Sequence, residues 1–341
     1  MSSLFSLPDD VVLNCLVRVP ERCYGNISCV SKRLRSLVLS PELHRLRSLL
    51  YKDSIYLYCF NKERVSFQWF TLCRSEETTT DQYQLVPLAL PSCKMISSSS
   101  TVVVGSKIYF IGGYFTPLSV IRILDTRSGK LTRGPSMNVA CTHETAAVGV
   151  VDRNIYVIRR CFGEDENQVV EVFDPDHSQT WEFASEEIVQ SLEKKVHAMD
   201  FGVDRIGGFY KLREGRLRKT MERKGDRPIC VCVVESVLFA YFRTGGLMWF
   251  DTKLNAWTRL VTSDEVLTLE GEFCNVVMSK YDGKLAVFWP GYEIIGYMKE
   301  VWCRLISLES VGDIVYGTID WSGVVATIPV ASTFLHCLTV S

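Results

Sequence analysis

A small all-α unit followed by an all-β repeat domain is the fold this chain predicts, and three observations predict it. Apolar residues in the first fifty positions recur at spacings of three, four and seven. From about residue 55 they fall into short strand-like runs bounded by turn residues. Those runs recur at loose intervals of roughly 35 to 50 residues, the range of propeller and solenoid repeats. The predicted boundaries are 1–50 for the helical domain and 51–341 for the β domain.

Leu7 leads into Pro8, which suits the start of a helix because its φ is already helical and its missing N–H would be unpaired there. Asp9 and Asp10 put negative charge in the first turn, where the helix dipole favours it. Val12, Cys15, Leu16 and Val19 share one predicted face, and Pro20 ends the helix. A second helix carries Tyr24, Ile27 and Val30 into the basic run Ser31, Lys32, Arg33, Leu34 and Arg35. Ser40 and Pro41 start another, leading to Leu43, Leu46 and Leu50.

In this order Leu7, Pro8, Asp9, Asp10, Val11, Val12, Cys15, Leu16, Arg18, Val19 and Pro20, then Tyr24, Ile27, Val30, Ser31, Lys32 and Arg35, resemble the F-box. The departure is Leu34, where that family more often has Trp or Phe. A helical unit of this size buries only part of its apolar surface, so its leftover face needs a partner. The resemblance implies that this partner is the Skp-family adaptor of a cullin-based ubiquitin ligase, with Leu7, Pro8, Val11, Leu16 and Val19 as the contact residues.

Composition agrees with a soluble intracellular protein, cytoplasmic or nuclear: 47% hydrophobic, 23% charged, net charge −1, and no apolar run of membrane-crossing length. The start is too polar for a signal peptide. Thirteen cysteines are an odd number, and Cys230 and Cys232 sit at period two inside an apolar run, so buried free thiols are expected. No Cys-x-x-Cys pair offers zinc-binding spacing.

The clearest β unit runs Thr101–Val104, a turn at Gly105, Ser106 and Lys107, then Ile108–Ile111 closing on Gly112 and Gly113. It continues through Ile121, Ile123, Leu124 and Asp125 to Gly129, Lys130, Gly134, Pro135 and Met137. That order resembles a kelch repeat, one blade of a β-propeller. Weaker copies span Ala146 to Trp181, Lys195 to Arg216, Ile229 to Trp257, and Cys274 to Ile306 with a hairpin turn at Asp282, Gly283 and Lys284. Arg159 and Arg160 replace the double glycine of the second copy, and Leu131 and Leu217 stand where a blade prefers Trp. Strands at 55–60 and 67–72, with apolar segments 324–328 and 334–340, are left to pair the two chain ends in one sheet and close the ring. The expectation is a six-bladed propeller, and the whole chain resembles the plant-type F-box/kelch family.

In a blade the loop after the double glycine joins the second and third strands, so such loops share one face. Tyr114, Phe115, Arg159, Arg160, Arg243, Trp289 and Tyr292 are expected there as target-binding residues, because large aromatics and Arg dominate protein interfaces. Residues 211–227 carry eight basic and three acidic side chains, a local +5 suited to a solvated turn or an acidic or phosphorylated target segment. The chain as a whole is nearly charge-balanced, so neither nucleic acid nor membrane is an expected partner. His143, Glu144 and Cys141 are the one thiol or metal candidate, and neighbours on a strand point to opposite faces. No catalytic motif or cofactor is expected. The predicted role is the substrate-recognition subunit of a Skp–cullin–F-box ubiquitin ligase, with the propeller holding an unidentified target. A kelch scaffold without a degradation role, or a propeller enzyme, are the alternative classes.

Overall fold

The computed structural model describes residues 7–19, 23–49, 53–75, 82–91, 100–113, 117–141, 146–160, 168–185, 209–213, 216–220, 228–254, 256–261, 275–294 and 296–340. The helical part comprises α1 (Asp9–Leu16), α2 (Tyr24–Val30), α3 (Lys32–Val38) and α4 (Pro41–Leu49). Pro8 is the N-cap of α1, with Asp9 and Asp10 in the first turn. The Ser31 hydroxyl accepts the Leu34 N–H and caps α3. Val12, Leu13, Leu16 and Val17 pack on Tyr24, Leu34, Leu37, Val38 and Leu43. Leu34 thus keeps a core position although it is smaller than the family's usual aromatic. Cys15 is exposed and leaves the predicted face. Val19 lies beyond the end of α1.

The β part runs β1 (Ser54–Asn61), β2 (Ser66–Ser75), β3 (Gln82–Leu88), β4 (Ser100–Val104), β5 (Lys107–Ile111), β6 (Leu118–Asp125), β7 (Lys130–Cys141), β8 (Ala146–Val151), β9 (Asn154–Arg160), β10 (Gln168–Phe173) and β11 (Glu182–Phe183). It continues with β12 (Phe209–Arg213), β13 (Arg216–Thr220), β14 (Pro228–Val234), β15 (Val237–Phe242), β16 (Gly246–Asp251), β17 (Ala256–Arg259), β18 (Val277–Tyr281), β19 (Lys284–Ile294), β20 (Met298–Val311), β21 (Ile314–Pro329) and β22 (Ser332–Val340). Five antiparallel four-stranded sheets result: β22-β1-β2-β3, β4 to β7, β8 to β11, β14 to β17, and β18 to β21. The first strands of neighbouring sheets pack side by side, β22 against β4, β4 against β8, β14 against β18 and β18 against β22.

The last strand pairs with the first, Ser54 opposite Val340 through Asn61 opposite Ser332, so both ends of the β domain share one blade. This satisfies edges that an open stack would leave bare. Segment 324–328, expected to help close the ring, belongs instead to β21 and pairs with β20. Six blades were expected and five are found among the described residues; the third repeat copy appears as the two-stranded β12-β13 hairpin. Its strands read FYKLR and RLRKT, in which five of ten residues are basic. A blade buried on both faces needs apolar side chains on both, and these strands do not supply them.

Two-residue turns join first to second strands at Asp152-Arg153, Glu235-Ser236 and Asp282-Gly283, all with positive φ, as a type I′ hairpin requires. Blades pack through cores such as Val234, Phe239, Trp249, Leu285, Val287 and Trp289. One seam is polar. The Glu171 carboxylate, fully buried in β10, accepts from the Asn138 N–H at 2.7 Å, the Asn138 amide at 3.0 Å and the Val139 N–H at 3.1 Å, all on β7 of the preceding blade.

Candidate functional site

Two surfaces at opposite ends of the propeller are candidates for binding. Consecutive turns of an antiparallel sheet alternate between its ends, so first-to-second and third-to-fourth turns share one end and second-to-third loops occupy the other. The helical unit sits at the first end. Arg127, in the β6–β7 turn, donates to the Leu39 carbonyl at 3.2 Å and the Ser40 carbonyl at 3.1 Å, where α3 ends. Asp53 and Asp282 exchange backbone-to-carboxylate bonds across the chain entry, 2.8 and 2.9 Å.

Arg47 of α4 ties the helices to the first strand. It is 6% exposed and donates to the Val19 carbonyl at 3.0 Å, the Tyr24 hydroxyl at 3.2 Å, the Ser54 hydroxyl at 3.3 Å and the Val17 carbonyl at 3.4 Å. The Val17 and Val19 carbonyls lie just past the end of α1, where the helix dipole favours a cation. Tyr24 itself donates to the Leu16 carbonyl at 2.8 Å. Neither Arg47 nor Arg127 was singled out from sequence. The available signal was that Arg47 lies four residues after Leu43, on the apolar face of its helix.

Of the five expected adaptor contacts, Pro8 and Val11 are exposed, Leu7 and Val19 are half-buried against the helical core, and Leu16 is inside it. Leu16 faces inward because Val12, Leu13 and Leu16 form the stripe that packs on α3. Pro8, Val11 and Cys15, at i, i+3 and i+7, form a second stripe that α1 turns to solvent. Arg33 braces its start, donating to the Leu7 carbonyl at 2.5 Å and pairing with Asp9 at 2.6 Å.

At the other end, Arg243 lies exposed in the β15–β16 turn. Trp289 does not belong to that surface. It is 2% exposed inside β19, packed between blades, stacked on Trp302 with Arg304 over its ring. β19 is buried on both faces, Leu285, Val287 and Trp289 in one inter-blade core and Ala286 and Phe288 in the other, so Trp289, opposite Trp302, has no open side. Arg159, Arg160 and Tyr292 are on strands β9 and β19, their side chains outside the described residues. Tyr114, Phe115, His143 and Glu144 also lie outside them, and Cys141 is buried. The basic segment 211–227 has described backbone only at 211–213 and 216–220.

Two residues at this end were missed. Val65 in the β1–β2 loop and Tyr297 in the β19–β20 loop are 70% and 79% exposed, with φ of 49° and 59°. Their loops are knitted through the β21–β22 link: Lys62 N–H donates to the Ala331 carbonyl at 3.1 Å, and Val330 N–H to the Tyr297 carbonyl at 2.9 Å. Asn61 braces the first loop, its side-chain oxygen accepting from Glu63 and Arg64 N–H at 3.0 Å. A ridge results, with Val65 and Tyr297 displayed on it. The signal in the sequence was a four-residue turn, KERV, with no glycine or asparagine for its left-handed position.

Among the described residues no group of three His, Cys, Asp or Glu side chains is placed to hold a metal ion, and no helix is long and apolar enough to cross a membrane. Burial raises the thiols of Cys59, Cys230, Cys303 and Cys337 well above their ordinary range. Such thiols are inert.

The F-box domain model matches residues 4–46 and the FKB95, Kelch-repeats domain model matches residues 69–326. Three Arabidopsis thaliana F-box/kelch-repeat proteins, the first carrying that name provisionally, are 45%, 38% and 37% identical. The matches cover 100%, 99% and 100% of this chain and 98%, 94% and 94% of theirs. With both domain models matched in the expected order and full-length relatives of the same architecture, the chain belongs to the F-box/kelch-repeat family.

Proposed function

We propose that the protein is a target-recognition subunit of a Skp–cullin–F-box ubiquitin ligase. The helical unit grips a Skp-family adaptor, and through it the cullin scaffold, while the propeller holds a protein for ubiquitination and degradation. The observation that carries this reading is the arrangement of an F-box helical unit, with the apolar stripe Pro8, Val11 and Cys15 outward, at the opposite end of the propeller from the Val65–Tyr297 ridge. The domain division at residue 50 belongs to the same reading.

The subunit performs no chemistry of its own in this scheme. Holding the target and the charged conjugating enzyme in one complex makes their encounter effectively intramolecular, which raises the transfer rate by proximity. Pro8 and Val11 contact the adaptor directly. Leu7 and Val19 lend their exposed parts, and Leu16 shapes the helix from within. Tyr114, Phe115, Arg159, Arg160, Arg243 and Tyr292 remain target-binding candidates, joined by Val65 and Tyr297.

Titration of purified Skp-family adaptor into the full chain tests the reading. Val11→Glu places a charge on the exposed stripe without touching the helical core, and should weaken binding at least tenfold with the thermal midpoint unchanged. An intact, folded wild-type chain that does not bind the adaptor would overturn the ligase role and favour a scaffold.

A further inference from the structure

The last blade ends in a hairpin longer than the sheet that carries it. β20 and β21 run 14 and 16 residues, whereas β19 begins at Lys284 and pairs with β20 no further than Ile306. Residues 307–311 and 314–318 therefore project as a two-stranded arm. Directly opposed residues share a face, so the register assigns its two sides. Leu308 with Gly317 and Ser310 with Val315 form the inner side. It packs on the core between the last two blades, so closely that a Cβ at Gly317 would meet Ile306 at 3.0 Å and Leu260 at 3.2 Å. Val311 with Ile314 and Glu309 with Tyr316 form the outer side, and Val261 extends it by pairing in parallel with Tyr316.

Apart from the exposed Glu309, that outer side is apolar and open. Val311, Ile314, Val261 and Tyr316 are 58%, 47%, 41% and 37% exposed. A contiguous apolar patch with a polar rim marks an interaction surface. Its rim names the occupant. At the arm's tip Lys253 pairs with Asp313, both mostly exposed. At its root Lys284 pairs with Asp320, which also accepts from Ser307 at 2.5 Å. These pairs cancel locally, so they select no partner of one sign. One exposed Lys beside one exposed Asp does match its own two-fold image, Lys to Asp and Asp to Lys. A net charge of −1 adds little repulsion between copies.

We propose that this arm is a self-association surface. Two copies meet across a two-fold axis through Val261, Val311, Ile314 and Tyr316, and Lys253 and Asp313 exchange partners between copies. The arm ends in the β20–β21 turn, at the helical unit's end of the propeller, and shares no residue with the adaptor stripe or the loop ridge, so the inference does not rest on the ligase role.

Sedimentation velocity of the full chain alone, over roughly 1 to 100 µM, the weak end of specific association, tests it. The wild type should pass from monomer to dimer across this range. Ile314→Lys, at an exposed side chain, should weaken association at least tenfold while the thermal midpoint of dilute protein stays unchanged. Lys253→Glu and Asp313→Lys should each weaken it, and the double variant should restore it, because the swapped pair remains self-complementary. A wild type that stays monomeric throughout, or a dimer that Ile314→Lys leaves intact, would overturn the proposal.

Discussion

Arg47 is the side chain whose loss should most loosen the helical unit itself, since its shorter bonds join α4 to the end of α1 and to α2. Of its four contacts, those to the Val19 carbonyl at 3.0 Å and the Tyr24 hydroxyl at 3.2 Å lie within ordinary N–H···O range, and those to Ser54 and Val17 are longer. Two good bonds from a charged donor contribute about 3 to 6 kcal/mol net of their exchange with water. Its position 5.5 Å over the Tyr24 ring adds about 1 kcal/mol. Burying the guanidinium offsets part of this, since releasing it to water recovers several kcal/mol. Arg47→Met keeps the aliphatic stem and removes the cation, so it should cost about 2 to 3 kcal/mol. The loss should be local. Hydrogen exchange of amides across residues 9–19 should speed up about 30- to 150-fold, while amides of β14 to β16 hold their protection. Arg47→Lys should recover part of the loss, because both good bonds leave one guanidinium nitrogen, whereas the Ser54 bond leaves the other and has no counterpart on an ammonium. Equal stability of Arg47→Met and wild type would refute the reasoning, since desolvation would then cancel the hydrogen bonds.

Glu171→Ala removes one acceptor from three donors at a blade seam and should lower stability in urea by about 3 to 5 kcal/mol, with Glu171→Gln losing roughly half as much; an unchanged urea midpoint would show that the seam is held by packing alone. Val65→Gly should raise stability by about 1 kcal/mol, because a β-branched residue in the left-handed region is strained and glycine is not; a lower thermal midpoint would mean that Val65 makes contacts its exposure does not suggest. Alkaline pH should destabilise the fold: burial first, then the nearby Asp176 carboxylate, push the Tyr109 hydroxyl up to about 12, and burial raises Tyr281 and several thiols as well. The unfolded chain releases these protons first, so stability present below about pH 8.5 for the thiols and 10 for the tyrosines is lost as pH rises towards the folded values, about 1.4 kcal/mol per unit and group. Urea midpoints between pH 8 and 11 measure this, and a flat profile would contradict it.

The helices and most blades were legible because their signals are local. Asp9 and Asp10 after Pro8, Ser31 before α3, and Gly105 or Asp282-Gly283 between strand pairs each fix a boundary through backbone chemistry that neighbours do not override. Ring closure was legible too, since unpaired apolar runs at both ends had a shared solution. Periodicity could not say which apolar face of α1 stays open: Val12 and Leu16 carry the same pattern value as Val11 and Cys15, and only the positions of α3 and α4 choose between them. Trp289 was misread for a related reason. An aromatic after a strand looks like a loop anchor until β19 proves to run on to Ile294 and makes it an inter-blade residue. Glu171 left no signal, because a glutamate in a strand reads as solvent-facing unless the donors on β7 are already known.

The two ends of the propeller differ in how freely they can change. The turns beside the helical unit are tight: Asp125 to Gly129 forms a hydrogen-bonded loop in which the Asp125 carboxylate accepts from the Arg127 N–H and the Ser128 hydroxyl. That turn aims Arg127 at Leu39 and Ser40, so a change in its length would shift the helical unit bodily. At the far end the second-to-third loops range from the short turn at 243–245 to the longer stretch at 161–167. Backbone bonds such as Lys62 to Ala331 anchor the bases of the described ones. A new target surface can therefore be built at one end without moving the contacts at the other, which is what a receptor needs if its adaptor geometry is fixed and its targets vary.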